Sequence, residues 1–186
     1  MHVALVPVAE GSEEIEFSAI FDILVRAGFD VIVASPKAPA NVELSRGLVI
    51  HVTKSLDSLL GHTFDVVAIP GGMPGASNLA ESKALKNILA DTKEAGKWIG
   101  AICASPAVVL KPWGFLPEGV KATCYPSFRD AIKENLDECA VVVDSEAKVI
   151  TADGPAHAVE FGLAIVREIL GEKKSAEIAD ALLFKK

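Results

Sequence analysis

Short, uninterrupted apolar runs, each followed by a stretch with helical spacing, constrain this chain more than any other feature of its sequence. Val3–Val8, Val31–Ala34, Val66–Ile69, Trp98–Ile102, Val141–Val143 and Val149–Thr151 are rich in β-branched residues and carry little polar alternation, as strands buried on both faces do. Between them, Phe17, Ile20, Phe21 and Leu24 recur at helical spacing before Gly28, and Val159–Leu170 repeats the pattern before Gly171. Each glycine stands where a left-handed cap ends a helix. The rhythm predicts a doubly wound α/β fold, a mostly parallel sheet with helices on both faces. From Pro36 to Val52 it breaks into two strand-like pieces, around Leu44 and at Leu48–Val52, which predicts a small hairpin added to the main sheet.

Composition narrows the function classes. A chain of 186 residues, 51% hydrophobic and 23% charged, is expected to form one domain spanning 1–186. The net charge is −7 and the basic residues cluster only in the Lys173-Lys174 and Lys185-Lys186 pairs, so no nucleic-acid or anionic-membrane partner is expected. The start, Met1-His2-Val3, runs into a strand without the pattern of a secretory signal, and no apolar run reaches bilayer length. The three cysteines form no CxxC pair, and a reducing, cytoplasmic setting is expected. No HExxH or comparable spacing predicts a metal site, and the glycine-rich segments match neither a dinucleotide fingerprint nor a P-loop, so no cofactor is expected.

The segment Trp98-Ile99-Gly100-Ala101-Ile102-Cys103-Ala104-Ser105-Pro106 reads as a buried strand, a tight turn and a helix start. A thiol at such a turn meets unsatisfied N–H groups and the positive end of a helix, which favour thiolate and predict a lowered pKa for Cys103. The small neighbours suit a nucleophile elbow; the alternative is a packed core cysteine. After an earlier strand comes Pro70-Gly71-Gly72-Met73-Pro74-Gly75, at the carboxyl edge where open α/β sheets place ligands. The amides of Gly72 and Ala104 are candidates for an oxyanion hole, although a plain turn would read the same way. Among Glu13, Glu14 and Glu16, the last lies at the edge of the apolar stripe. A carboxyl half-buried beside a thiolate would have a raised pKa, making Glu16 a candidate general acid/base; helix-dipole complementation is the alternative. His157, in Asp153-Gly154-Pro155-Ala156-His157, follows a strand at the same edge and either faces the cleft or decorates a helix start.

Taken together, Glu13-Glu14-Ile15-Glu16, Pro70-Gly71-Gly72, Ala101-Ile102-Cys103-Ala104-Ser105-Pro106 and Gly154-Pro155…Glu160-Phe161 resemble the ThiJ/PfpI superfamily, in its branch of the parkinsonism-associated protein deglycase and bacterial YajL. The resemblance runs from the first strand to the last helix. It implies a flavodoxin-like homodimer with Cys103 as reactive cysteine and Glu16 as the protonated acid on its sulfur. Gly72 and Ala104 would then supply oxyanion amides, and Arg46 would lie near the pocket and the dimer contact. With Gly71, Tyr125, Pro155 and His157, Arg46 completes the implied substrate pocket. The activity implied is a glutathione-independent glyoxalase or deglycase acting on a small reactive aldehyde or glycated substrate, without a cofactor. Two positions depart from family patterns: Tyr125 stands where the human-type protein has a histidine before proline, and Ala104 where protease-like branches have a histidine after the nucleophile. A redox-sensing stress protein or chaperone, with Cys103 climbing the oxidation ladder, and a cysteine amidase or peptidase are the rival expectations.

Overall fold

The computed structural model describes residues 2–185; Met1 and Lys186, the ends of the expected 1–186 span, lie outside the described residues. In chain order the strands are β1 (Val3–Pro7), β2 (Asp30–Ser35), β3 (Ala40–Glu43), β4 (Val49–Val52), β5 (Lys54–Ser55), β6 (Val66–Ile69), β7 (Trp98–Ile102), β8 (Val141–Asp144) and β9 (Val149–Ala152). The helices are α1 (Glu14–Ala27), α2 (Gly75–Ala80), α3 (Lys83–Glu94), α4 (Ala158–Leu170) and α5 (Glu172–Ala181). The main sheet has the order β5-β2-β1-β6-β7-β9-β8, parallel throughout except that β8 runs antiparallel to β9. This is the doubly wound arrangement that the apolar runs predict, in the flavodoxin-like form that the resemblance implies.

Every residue of β6, β7 and β9 is buried, because helices cover both faces of the sheet. Helices α1, α4 and α5 seal one face around Ile20, Leu24 and Phe161; α2 and α3 seal the other around Leu79, Leu85 and Leu89. Burying a side chain of this size contributes about 1.5–3 kcal/mol. Helix α1 starts where the Glu13 carboxylate accepts from the Glu16 N–H at 2.8 Å and ends at Gly28, whose φ of +92° lets its N–H reach back to the Leu24 carbonyl.

The expected hairpin is present, set apart from the main sheet. Strands β3 and β4 pair with each other as a separate two-stranded sheet, and Leu44 lies beyond β3, where its N–H donates to the Leu48 carbonyl at 2.8 Å. The reason lies at Pro36: a proline has no N–H to extend the β2 ladder, so the chain peels away and rejoins the main sheet only through β5 beside Ala34 and Ser35. Two residues are too short a strand to be read from periodicity.

The chain winds outward from β1 in both directions, to β2 on one side and to β6, β7 and β9 on the other. The loops after β1 and β6 therefore part at the carboxyl edge and open a crevice there. Among the described residues no helix is long and apolar enough to cross a membrane.

Candidate active site

The residue after β7 is Cys103, and its φ of +63° puts it in the left-handed region, a conformation that costs a non-glycine residue on the order of 1 kcal/mol or more. Three bonds hold it there. Its N–H donates to the Ala152 carbonyl at 2.9 Å, its carbonyl accepts from the Tyr125 N–H at 2.8 Å, and two residues on the Ser105 hydroxyl donates to the Pro70 carbonyl at 2.7 Å. The predicted helix after the elbow is a single π turn, Pro106–Leu110, closed by the Lys111 N–H on the Pro106 carbonyl at 2.9 Å; the chain leaves helical geometry at Gly114, with φ +79°. One turn aligns too few peptide dipoles to act as a helix terminus on the sulfur.

Discrete donors surround the thiol instead. The backbone N–H groups of Gly72 and Ala104 both act on the Cys103 sulfur to favour its anion, and Cys103 itself is 8% exposed. The approach depends on Gly71, where a Cβ would sit 2.6 Å from the Cys103 Cβ and 2.9 Å from Glu16 Oε2. Gly72 adopts φ +83°, and a Cβ there would meet the Glu13 backbone nitrogen at 2.5 Å. No side chain therefore stands between these backbone amides and the sulfur.

Glu16 is fully buried and faces the same thiol. The Gly71 N–H donates to its Oε2 at 2.7 Å, while Oε1 has no hydrogen-bond partner among the described residues. Burial raises its pKa to about 7 against the pull of the Gly71 amide. Burial, and then the Glu16 charge, push the Cys103 thiol up to about 12 despite the two amides. The lowered thiol pKa expected from the sequence is thus reversed, because the elbow is desolvated and shares its cavity with an acid. The two groups are coupled, and burial raises both, Glu16 to about 7 and Cys103 to about 12. In the range between, the pair holds one proton, which these affinities place on the sulfur. Moving that proton to the carboxyl stops Glu16 from repelling a sulfur anion and makes it a donor to it.

The remaining predicted residues lie at different removes. Tyr125, 44% exposed, bonds the elbow through its backbone, and its ring lies 3.4 Å from where a Gly154 Cβ would be. Pro155 opens the 3-10 turn Pro155–His157, and the His157 Nδ1 is 2.6 Å from Asp153 Oδ1, which leaves Nε2 open. Asp153 follows Ala152, the elbow's own anchor, so this turn flanks Cys103 across β9. Arg46 is exposed; its guanidinium donates to the Ser45 carbonyl at 3.2 Å and its N–H donates to the Glu14 carboxylate, so the contacts it makes join the hairpin loop to α1 and reach neither Cys103 nor Glu16. Sequence reasoning missed Asp153, Ala152 and Ser105. The i,i+4 spacing of Asp153 and His157 carries a signal for the first; the other two act through long-range partners that leave no local trace. Among the described residues no three His, Cys, Asp or Glu side chains gather as a metal site.

Residues 2–168 match the DJ-1/PfpI family. The chain is 35% identical over 185 residues to Protein DJ-1 homolog B of Arabidopsis thaliana, covering 97% of this chain and 41% of that protein; it spans less than half the length of this relative and of its homolog A counterpart. It is 36% identical over 181 residues to the glutathione-independent glyoxalase DJR-1.2 of Caenorhabditis elegans, covering 95% of this chain and 93% of that one. The solved structure of oxidized Toxoplasma gondii DJ-1 superposes with a TM-score of 0.95 at 42% identity, covering 100% of both chains. On the family match and on these relatives, this chain belongs to the DJ-1/PfpI family.

Proposed function

We propose that this protein is a glutathione-independent glyoxalase that uses Cys103 as nucleophile and also accepts early glycation adducts as a deglycase. The observation that carries the reading is the convergence of three groups on one sulfur: the Gly72 and Ala104 amides and the buried Glu16 carboxyl. With the pair's single proton on Glu16, the sulfur anion adds to the aldehyde carbon of methylglyoxal and Glu16 protonates the new oxygen, giving a hemithioacetal. As charge moves from sulfur to that oxygen, the amides at the sulfur are the donors nearest to it. Glu16, now a carboxylate, removes the proton from the former aldehyde carbon and returns it to the neighbouring carbon through an enediol. The result is a lactoyl thioester, which water cleaves to lactate and free Cys103. Methylglyoxal and one water become one lactate, with no external oxidant or reductant. The relative named as a glutathione-independent glyoxalase supports this substrate class. D-lactate formation tests it: activity in the wild type and unchanged activity in Cys103→Ala would discard the mechanism.

A redox-sensing role draws on the same donors, which would also hold the oxygens of an oxidised Cys103, and on the similarity to a DJ-1 structure described as oxidized. Mass spectrometry after mild peroxide separates the readings: gain of two oxygens at Cys103 with negligible aldehyde turnover favours the sensor. The protein also works as a homodimer in this reading. The outward face of α1 exposes Ile15, Phe21 and Val25, beside Leu48 and Val49 of the hairpin, an apolar surface that a second copy would cover. Light scattering on Val25→Asp tests it, since a wild type that runs as a monomer removes the proposal.

A further inference from the structure

The two amides that act on the Cys103 sulfur belong to different strand ends, Gly72 to the loop after β6 and Ala104 to the elbow after β7. The sheet does not set the distance between them, because the β6–β7 ladder stops at Ile69 and Ala101. Beyond it the loop turns its bonds toward α1 and α2. The Gly71 N–H donates to Glu16 Oε2 at 2.7 Å, the Gly71 carbonyl accepts from the Glu13 N–H at 3.0 Å, and the Gly72 carbonyl accepts from the Ala76 N–H at 2.8 Å. The elbow turns the other way, with the Cys103 N–H on the Ala152 carbonyl and its carbonyl on the Tyr125 N–H. The two halves of the donor set are thus anchored to opposite neighbours.

Ser105 joins them. It is fully buried, and its hydroxyl donates to the Pro70 carbonyl at 2.7 Å, across 35 positions of sequence. Among the described residues this is the one hydrogen bond that crosses from elbow to loop without using the sulfur. Pro70 is buried too, so its carbonyl requires a partner. A serine hydroxyl in that role also fixes the separation of two backbone points, one two residues before Gly72 and the other one residue after Ala104. Hydrogen bonds weaken steeply as they lengthen or bend, so both amides serve one sulfur only while that separation holds.

We propose that Ser105 is a positioning residue for the thiol chemistry: by tying Pro70 to the elbow, it keeps the Gly72 and Ala104 amides trained together on the Cys103 sulfur. It acts through the Gly72 loop rather than on a substrate. Its consequence for turnover rests on the reading of Cys103 as the glyoxalase nucleophile; its consequence for the sulfur anion does not.

Alkylation of Cys103 by iodoacetamide at a fixed, mildly alkaline pH, followed by mass spectrometry of the Cys103 peptide, reads the sulfur anion without any substrate. Ser105→Ala lowers that rate about tenfold, and kcat/KM for methylglyoxal falls by a similar factor of about ten. Thr92→Val is the matched control. Its buried hydroxyl donates to the Ile88 carbonyl at 2.6 Å within α3, so the same kind of bond is lost away from the thiol, and both rates stay within about twofold of wild type. Ser105→Gly, which also lacks the hydroxyl, repeats the losses and replaces the alanine variant should that one not fold, with about 1 M sucrose present throughout to favour the native state. Wild-type alkylation and turnover in a folded Ser105 variant overturn the proposal. Equal slowing in Thr92→Val overturns it as well, by making the effect a general loosening. Slower alkylation in the Ser105 variants, with no aldehyde turnover even in wild type, upholds the positioning role and removes the glyoxalase reading instead.

Discussion

Glu14 and Glu16 leave the first turn of α1 on opposite faces, and their proton affinities move in opposite directions. The slight burial of Glu14 would raise its pKa, but hydrogen bonds from the Ser45 hydroxyl, at 2.7 Å, and from the Arg46 amide outweigh it and lower the value. Glu16, two residues on, is fully buried and accepts a short bond from the Gly71 amide, and burial carries it up to about 7. Helix position and residue type are nearly the same for both. What differs is the face, and with it whether the carboxyl is solvated enough to be a fixed anion or desolvated enough to hold and release a proton near neutrality. Glu14 is a structural anchor for the hairpin loop; Glu16 is the chemical group of the proposed mechanism.

The sharpest way to break this contrast is at the thiol that Glu16 faces. Cys103→Ser removes the nucleophile and lowers D-lactate production by about a thousandfold or more, with the melting temperature little changed. Glu16→Gln comes next, lowering kcat/KM for methylglyoxal by about a hundredfold. In the wild type kcat/KM rises with pH through about 7, as the pair goes from two protons to one, and in Glu16→Gln that inflection disappears. A wild-type profile flat from pH 5 to 9 would remove Glu16 from the chemistry. The same residue gives a stability signature of defined sign. Its folded pKa lies above its ordinary 4.5, so the native state binds the proton more tightly than the unfolded chain. Stability is therefore full below about 4.5, declines as pH rises to about 7, and stays lower above that by about 3 kcal/mol. Urea denaturation at pH 8 is expected to find Glu16→Gln more stable than wild type by up to that amount, with the gain shrinking toward pH 5.

Glu14→Gln sits on the other side of the comparison. It weakens the bonds from Ser45 and Arg46, lowers stability by about 1 kcal/mol, and leaves turnover within about twofold; a large loss of turnover would erase the distinction between the two faces. The smallest effect is expected at the rim, where His157→Gln changes kcat/KM by only about threefold, since His157 is held by Asp153 rather than by the sulfur.

The fold was legible because buried strands advertise themselves: β6, β7 and β9 are continuous apolar runs, and Gly28 and Gly171 mark helix ends. Strand β5 was not, being two residues placed by what Pro36 prevents. In the site, the structure brings together Cys103 and Glu16, the two candidates that motif and stripe position offered, but the sign of the thiol's shift could not be read. It depends on desolvation by residues far apart in sequence, and on a helix that shrinks to one π turn. Arg46 was placed near the pocket and the dimer contact by the resemblance alone, and its own hydrogen bonds tie it to Glu14 and Ser45.

The absence of side chains at Gly71 and Gly72 has an evolutionary consequence. One wall of the thiol cleft is bare main chain in contact with main chain, and any branch added there collides before it can touch a substrate. Selection for a different substrate has no purchase on that wall. Drift in preference must enter through the opposite bank, at positions 125 and 157, where a tyrosine ring and an imidazole can be exchanged without disturbing the elbow's anchors.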